Sequence, residues 1–201
     1  MPELIPPRKI HRFVEELRDK LCPGSDFLRV PVIPEPAAQL GGCFPNVRDK
    51  ILKSGGTIQH GWCIWENPGL FVEGEFHGVW VSPDQKLIDV TPTIEGGKEI
   101  LFLPDNKRVF NGTDTRDNVR LAINPHPLVQ AFLQHCEQLY EFKEVGTNPE
   151  NPRLMTLDAD RYEWFRLRKA ELGRAMMQIT PGRNEMCRCG SGDKYKKCCG
   201  K

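Results

Sequence analysis

The sequence predicts an α+β protein ending in a small metal-held module, on three observations. Apolar residues recur at helical spacing near the N-terminus and again in the last third of the chain. The stretch between them is rich in β-branched and aromatic residues and is broken by turn signals. Four of the eight cysteines crowd together at the C-terminal end.

Taken in order, Pro6-Pro7 precedes a stripe of Ile10, Phe13, Val14, Leu17 and Leu21, one face of a helix that Cys22-Pro23-Gly24 stops. An irregular Pro-rich segment through Pro31, Pro34 and Pro36 follows. Gly41-Gly42-Cys43-Phe44-Pro45 then opens a second helix, with Pro45 suited to its first turn. That helix is expected to bury Val47, Ile51 and Leu52 and to end at Gly55-Gly56. Strands are expected over residues 57–65, 70–81 and 86–91, separated by Asn67-Pro68-Gly69 and Ser82-Pro83-Asp84. Residues 100–103 and 108–110 suggest a further hairpin around Pro104-Asp105-Asn106. Pro127 opens a third helix striped with Leu128, Phe132, Cys136, Leu139 and Tyr140. Residues 146–152 are a polar linker, and Asp158 caps a last helix running to about Met177, with Trp164, Leu167, Leu172 and Met176 inward. The expected divisions are an α+β domain over residues 1–146, a linker and helix over 147–182, and a module over 183–201.

Composition bounds the function. The formal net charge is +1 over 201 residues, which argues against a whole-protein grip on nucleic acid and against sequence-specific DNA binding. No run of about 18 apolar residues predicts a membrane span. The N-terminus lacks the basic and apolar regions of a signal peptide, so the expected compartment is the cytoplasm. There, crowded cysteines more often hold metal than form disulfides.

Cys187-Arg188-Cys189 and Cys198-Cys199 stand eight residues apart. Zinc takes four thiolate or imidazole ligands in a tetrahedron, at about 2.3 Å for sulfur. The turn Gly190-Ser191-Gly192 lets the pairs meet. So short a segment has no core, and the metal must supply its folding free energy, about 10 kcal/mol or more. With all four positions filled, such a zinc is structural. This stretch resembles the SEC-C motif, best known at the C-terminus of the motor ATPase of bacterial preprotein translocation. The match lies in Cys187, Cys189, Ser191, Gly192, Cys198, Cys199 and the Lys-Tyr-Lys-Lys run. The resemblance implies that the four cysteines are zinc ligands and that the basic strip binds a protein partner, with a ribosome or a chaperone expected.

A second set of residues suggests thiol chemistry. A helix N-terminus favours a thiolate at Cys43 and offers N–H groups to an oxyanion. His77 and Asp89 lie on neighbouring predicted strands, where an imidazole can be oriented toward the thiol. Gly42-Cys43, His77-Gly78-Val79-Trp80 and Asp89-Val90-Thr91-Pro92 resemble the transglutaminase-like members of the papain-like superfamily. That resemblance implies a Cys-bearing helix on an antiparallel sheet, with Cys43 as nucleophile, His77 as base and Asp89 as orienter. Gln39 is the implied oxyanion donor. Two functions fit. One is a cysteine hydrolase or transferase acting on an amide or related acyl group of a peptide or protein. The other is a non-catalytic adaptor that uses the same scaffold to bind peptide. Cys22, Cys63 and Cys136 are expected to be structural.

Overall fold

The structure is a computed structural model that describes residues 4–94, 96–112, 116–146 and 158–201. It is a mixed protein of helices and an antiparallel sheet, as the sequence predicts. By spatial contact it divides into two compact units. One, the sheet unit, holds residues 11–65 and 73–119; the other, the helical unit, holds residues 1–10, 66–72 and 120–201. This grouping places residues 127–146 with the cysteine tail, whereas the sequence divisions set them with the chain before them.

The sheet unit begins with helix α1 (Arg12–Leu21), which buries Val14, Leu17 and Leu21 as its periodicity requires. Strand β1 (Leu28–Pro31) follows, then helix α2 (Cys43–Ser54). The long strands β2 (Thr57–Asn67) and β3 (Phe71–Val81) form a hairpin whose turn is closed by the Leu70 N–H donating to Asn67 O at 2.9 Å. β4 (Leu87–Ile88) and β5 (Glu99–Pro104) complete the main path of the sheet, in the order β1-β5-β2-β3-β4. β5 sits between two partners, with Ile100 opposite Val30 and Phe102 opposite Cys63. Its residues Ile100 to Leu103 are therefore buried in an unbroken run rather than alternating. Val30, Cys63, Val79, Ile100 and Phe102 form one core cluster. Val47, Trp80 and Val90 form another and seat α2, with Ile51, Ile58 and Ile88 beside them.

Four expectations change here. β1 lies in the segment taken as irregular: Pro31 has no N–H to give, but its carbonyl accepts from Asp89 N–H at 2.9 Å. The strand expected over 86–91 keeps only Leu87 and Ile88 as strand. Asp89 and Val90 turn instead to the Pro-rich segment, where Ile33 N–H donates to Asp89 O and Glu35 N–H to Val90 O. Residues 108–110 form no strand, because Asp105 ties the chain into a turn. Its Oδ1 accepts from the N–H groups of Lys107 and Arg108, and its Oδ2 from Trp62 Nε1 and the Arg108 guanidinium. Leu52 is exposed rather than inward.

Burial alone would push the Asp105 carboxyl up, but the Arg108 guanidinium, the Lys107 N–H and Trp62 reverse this and hold it well below the ordinary carboxylate range. A depressed carboxylate stabilises the fold above its unfolded pKa of about 3.9, and that stability is lost as pH falls through the folded value. The Asp105→Asn variant is therefore expected to unfold at lower urea than the parent at neutral pH, with the gap closing below about pH 4. A gap that persists undiminished at pH 2 would reject the ionic account.

β6 (Val119–Ala122) leads into the helical unit, where the N–H groups of Ile123 and Asn124 donate to Leu70 O. Helix α3 (Pro127–Gly146) starts at the predicted proline, and His126 Nδ1 accepts from Leu128 N–H in its first turn. Helix α4 (Ala159–Met177) starts at the predicted cap, where the Asp158 carboxylate accepts from Arg161 N–H at 2.8 Å. Leu70, Phe71, Val129, Phe132, Leu133, Cys136, Leu172 and Met176 make the core between the two helices and the hairpin tip. Trp164 and Leu167 are 55% and 57% exposed, and Phe165 is buried in their place. Leu172 and Met176 are inward as read, so the departure is confined to the first half of the helix, where the buried residue stands one position after Trp164. There the His135 ring Nε2 meets Phe165 O at 2.9 Å. Residues 147–152 of the predicted linker lie outside the described residues. No described helix is long and apolar enough to cross a membrane.

Candidate functional site

Cys43 is the first residue of α2, and only 9% of it is exposed. Asn46, one turn on, is buried and fixes the approach to that helix. Its Oδ1 accepts from Gln39 N–H at 3.0 Å; its Nδ2 donates to Gln39 O at 2.8 Å and to the Thr91 hydroxyl at 3.2 Å. The start of α2 is thus tied directly to the segment that follows Asp89. Gln39 itself is exposed, held through its backbone, which also accepts from Gly42 N–H.

His77 lies on β3 and Asp89 just beyond β4. The pairing of Trp80 with Ile88 and Val81 with Leu87 sets the two strands in register. The result is a buried contact of 3.1 Å between His77 Nε2 and Asp89 Oδ2. The other carboxylate oxygen accepts from Thr91 N–H at 2.9 Å. Burial alone would push the His77 imidazole down. The hydrogen bond to Asp89 and the interaction with the Cys43 thiol more than reverse it, and the ring sits well above its ordinary value. The structure therefore brings Cys43, His77 and Asp89 into one cluster and leaves the Gln39 side chain on the surface. Asn46, and its bond to Thr91, escaped sequence reasoning. The available signal was a polar residue one helical turn after Cys43, on the face that must be buried.

The other non-tail cysteines lie in different surroundings. Cys63 is wholly buried and its thiol is pushed far up by that burial. Cys22 is pushed up to about 12, by burial and then by its hydrogen bond to Asp105. Cys136 belongs to the helical core.

In the tail, a short antiparallel bridge joins Met186 to Lys194, and the Cys187 N–H donates to Asp193 O at 2.8 Å. The reversal between the cysteine pairs uses Gly190 and Gly192, both at positive φ (75° and 74°), where a side chain would be strained. A 3₁₀ turn, Tyr195–Lys197, then delivers Cys198 and Cys199. All eight cysteines are free, and the four tail sulfurs lie within 4.8 Å of one another. Four Zn–S bonds of about 2.3 Å in a tetrahedron put neighbouring sulfurs about 3.8 Å apart. The contacts of 3.3 Å between Cys189 and Cys198, and 3.9 Å between Cys198 and Cys199, bracket that value. Four ionisable sulfurs crowded this closely work against one another's ionisation. Cys189 is drawn down to about 6 by Ser191 and Cys198, while Cys199 is pushed up to about 12 by Cys187 and its other neighbours. A divalent ion removes that conflict, since it stabilises every thiolate at once. The four cysteines can hold a metal ion, and their all-sulfur tetrahedral set fits zinc.

Residues 183–201 match the SEC-C motif. Among curated proteins, the protein translocase subunit SecA of Chlorobium phaeobacteroides (strain BS1) is 55% identical over 102 residues, 45% of this chain and 10% of that protein. SecA of Trichlorobacter lovleyi (strain ATCC BAA-1151 / DSM 17278 / SZ) is 70% identical over 27 residues, 13% of this chain and 3% of its own. A UPF0225 protein of Serratia proteamaculans (strain 568) is 76% identical over 21 residues, 10% of this chain and 14% of its own. The chain thus spans a small part of each of these relatives. No solved structure matches it.

Proposed function

We propose that this protein is a cysteine-dependent hydrolase or transferase acting on an amide or related acyl group, with a structural zinc module at its C-terminus. The observation that supports it most is the buried His77–Asp89 contact with the Cys43 thiol acting on the same ring. His77 takes the thiol proton and Cys43 Sγ attacks the acyl carbon. The N–H groups of the first turn of α2 face the oxyanion. The imidazolium returns the proton to the departing amine, and the resulting thioester is cleaved by water or by a second amine, whose proton His77 accepts. Asp89 keeps the ring oriented and favours its charged form. This arrangement is the one the transglutaminase-like resemblance implies. The zinc, closed by four thiolates, shapes the tail and takes no part in the reaction. The tail's exposed lysines suit an acidic protein partner, a ribosome or a chaperone among the candidates, and two relatives are named as protein translocase subunits.

One observation favours the adaptor reading instead. Cys43 and His77 are only 9% and 7% exposed, whereas a surface cleft on the helical unit is open, lined by Phe142, Arg161 and Trp164. Alkylation separates the two. At about pH 6.5, where an ordinary thiol is almost wholly protonated, iodoacetamide is expected to modify Cys43 well before Cys22, Cys63 or Cys136. The selectivity should vanish in His77→Ala. Mass-spectrometric mapping that finds Cys43 no faster than the others would remove the enzyme and leave the adaptor.

A further inference from the structure

Within the helical unit four separate segments close on the tail. Arg188 stands between two metal-site cysteines, and its side chain turns away from them to the end of α4. There Nη1 donates to Ile179 O at 3.0 Å and to Met176 O at 3.3 Å. The last carbonyls of a helix have no partner inside it, and a guanidinium placed there satisfies them and opposes the negative end of the dipole. The Glu185 carboxylate accepts from Asn124 Nδ2 and from Gly182 N–H, both at 2.9 Å. Gly190 rests on Ile5 and Pro68, so that a Cβ there would lie 3.2 Å from the Ile5 side chain and 3.4 Å from that of Pro68. Gly69, at the hairpin tip, approaches Met186 so closely that a Cβ would come within 2.8 Å of its carbonyl oxygen. Ile5 in turn exchanges two backbone hydrogen bonds with Glu66, at 2.8 and 3.0 Å.

We infer that the four-cysteine module is a metal-dependent latch on its own unit, with Arg188 the positioning residue that couples it to α4. The inference rests on the reading of the cysteines as a metal site. Residues 183–201 have no core of their own, so their shape depends on the ligand bonds. Arg188, Glu185 and the 190–193 loop reach their partners only in that shape. With metal bound, the end of α4, the N-terminal Ile5–Glu66 pairing and the hairpin tip are held together; without it, all three are released with the tail. The coupling is reciprocal: contacts that the metal holds must also hold the metal.

The test is hydrogen exchange on the full chain, zinc-loaded and after chelation, beside Arg188→Ala, with zinc counted in each sample. Chelation is expected to raise exchange at Ile5, Glu66 and the last turn of α4 as well as in residues 183–201. Arg188→Ala is expected to keep one zinc per chain, to lose protection at the last turn of α4, and to release zinc to a chelating dye about tenfold faster. If the apo chain proves too unfolded to map, Arg188→Ala decides. Exchange changes confined to residues 183–201, or unchanged zinc release from Arg188→Ala, would overturn the latch while leaving the metal site intact. A chain that binds no zinc would remove both.

Discussion

Replacing His77 with alanine is expected to slow the acylation of Cys43 by an activated ester about 10²- to 10⁴-fold, the usual contribution of a positioned acid–base group. The loss should appear in kcat as well as kcat/KM, because His77 acts on the reacting sulfur rather than in substrate binding. Asp89→Asn tests the next link. It keeps the shape of the side chain and removes the charge that raises the His77 imidazole. A raised imidazole stays protonated as pH climbs past about 6.5 and releases its proton only at its higher folded value. The alkaline limb of the rate profile is therefore expected to move to lower pH in Asp89→Asn. The same sign governs stability: the His77–Asp89 contribution is complete below about pH 6.5 and fades as pH rises through the folded value. The melting temperature of each variant at pH 6 separates loss of chemistry from loss of fold. An ester rate in His77→Ala within about threefold of the parent, in a folded protein, would reject the triad as a catalyst.

The other large effect belongs to the tail. Cys198→Ser is expected to abolish stoichiometric zinc at neutral pH. Cys198 is in contact with both Cys189 and Cys199. Structural zinc in small peptides contributes about 10–16 kcal/mol of apparent binding free energy, and losing one of four thiolates removes a sizeable share of it. Metal analysis after gel filtration is the direct measurement, and one zinc per chain in the variant would exclude Cys198 as a ligand. Ester turnover in the same variant addresses the division of labour. If zinc is structural, the chemistry at Cys43 should survive its loss wherever the sheet unit stays folded.

Much of this molecule is written in local rules. The stripe Val14, Leu17, Leu21 makes α1, the proline at 127 and the aspartate at 158 open α3 and α4, and Asn67-Pro68-Gly69 turns the β2–β3 hairpin. Each depends on residues within a turn or two of one another. The four-cysteine module is legible for the same reason, since its ligand spacing and its glycine turn lie inside fifteen residues. The proximity of His77 to Asp89 follows from a short hairpin-like connection, and so was within reach of the sequence as well.

What the sequence left open is what depends on partners far along the chain. β1 carries a proline and few residues, and it becomes a strand only because β5, some 70 residues later, offers it an edge. Residues 108–110 lose their strand because the Asp105 carboxylate finds Trp62 and Arg108 together. Leu172 and Met176 were legible as the inward residues of α4, but that Phe165 rather than Trp164 turns inward is decided by α3, whose His135 packs on it. Asn46 matters only once Thr91 lies beside it, and Arg188 only once α4 ends in front of it. The residue types of the metal cluster could be read from the chain alone, because ligand chemistry is carried by single side chains at short spacing. The tertiary structure decided which residues hold those groups in place, because a buried polar atom takes its partner from whatever the fold brings within about 3 Å.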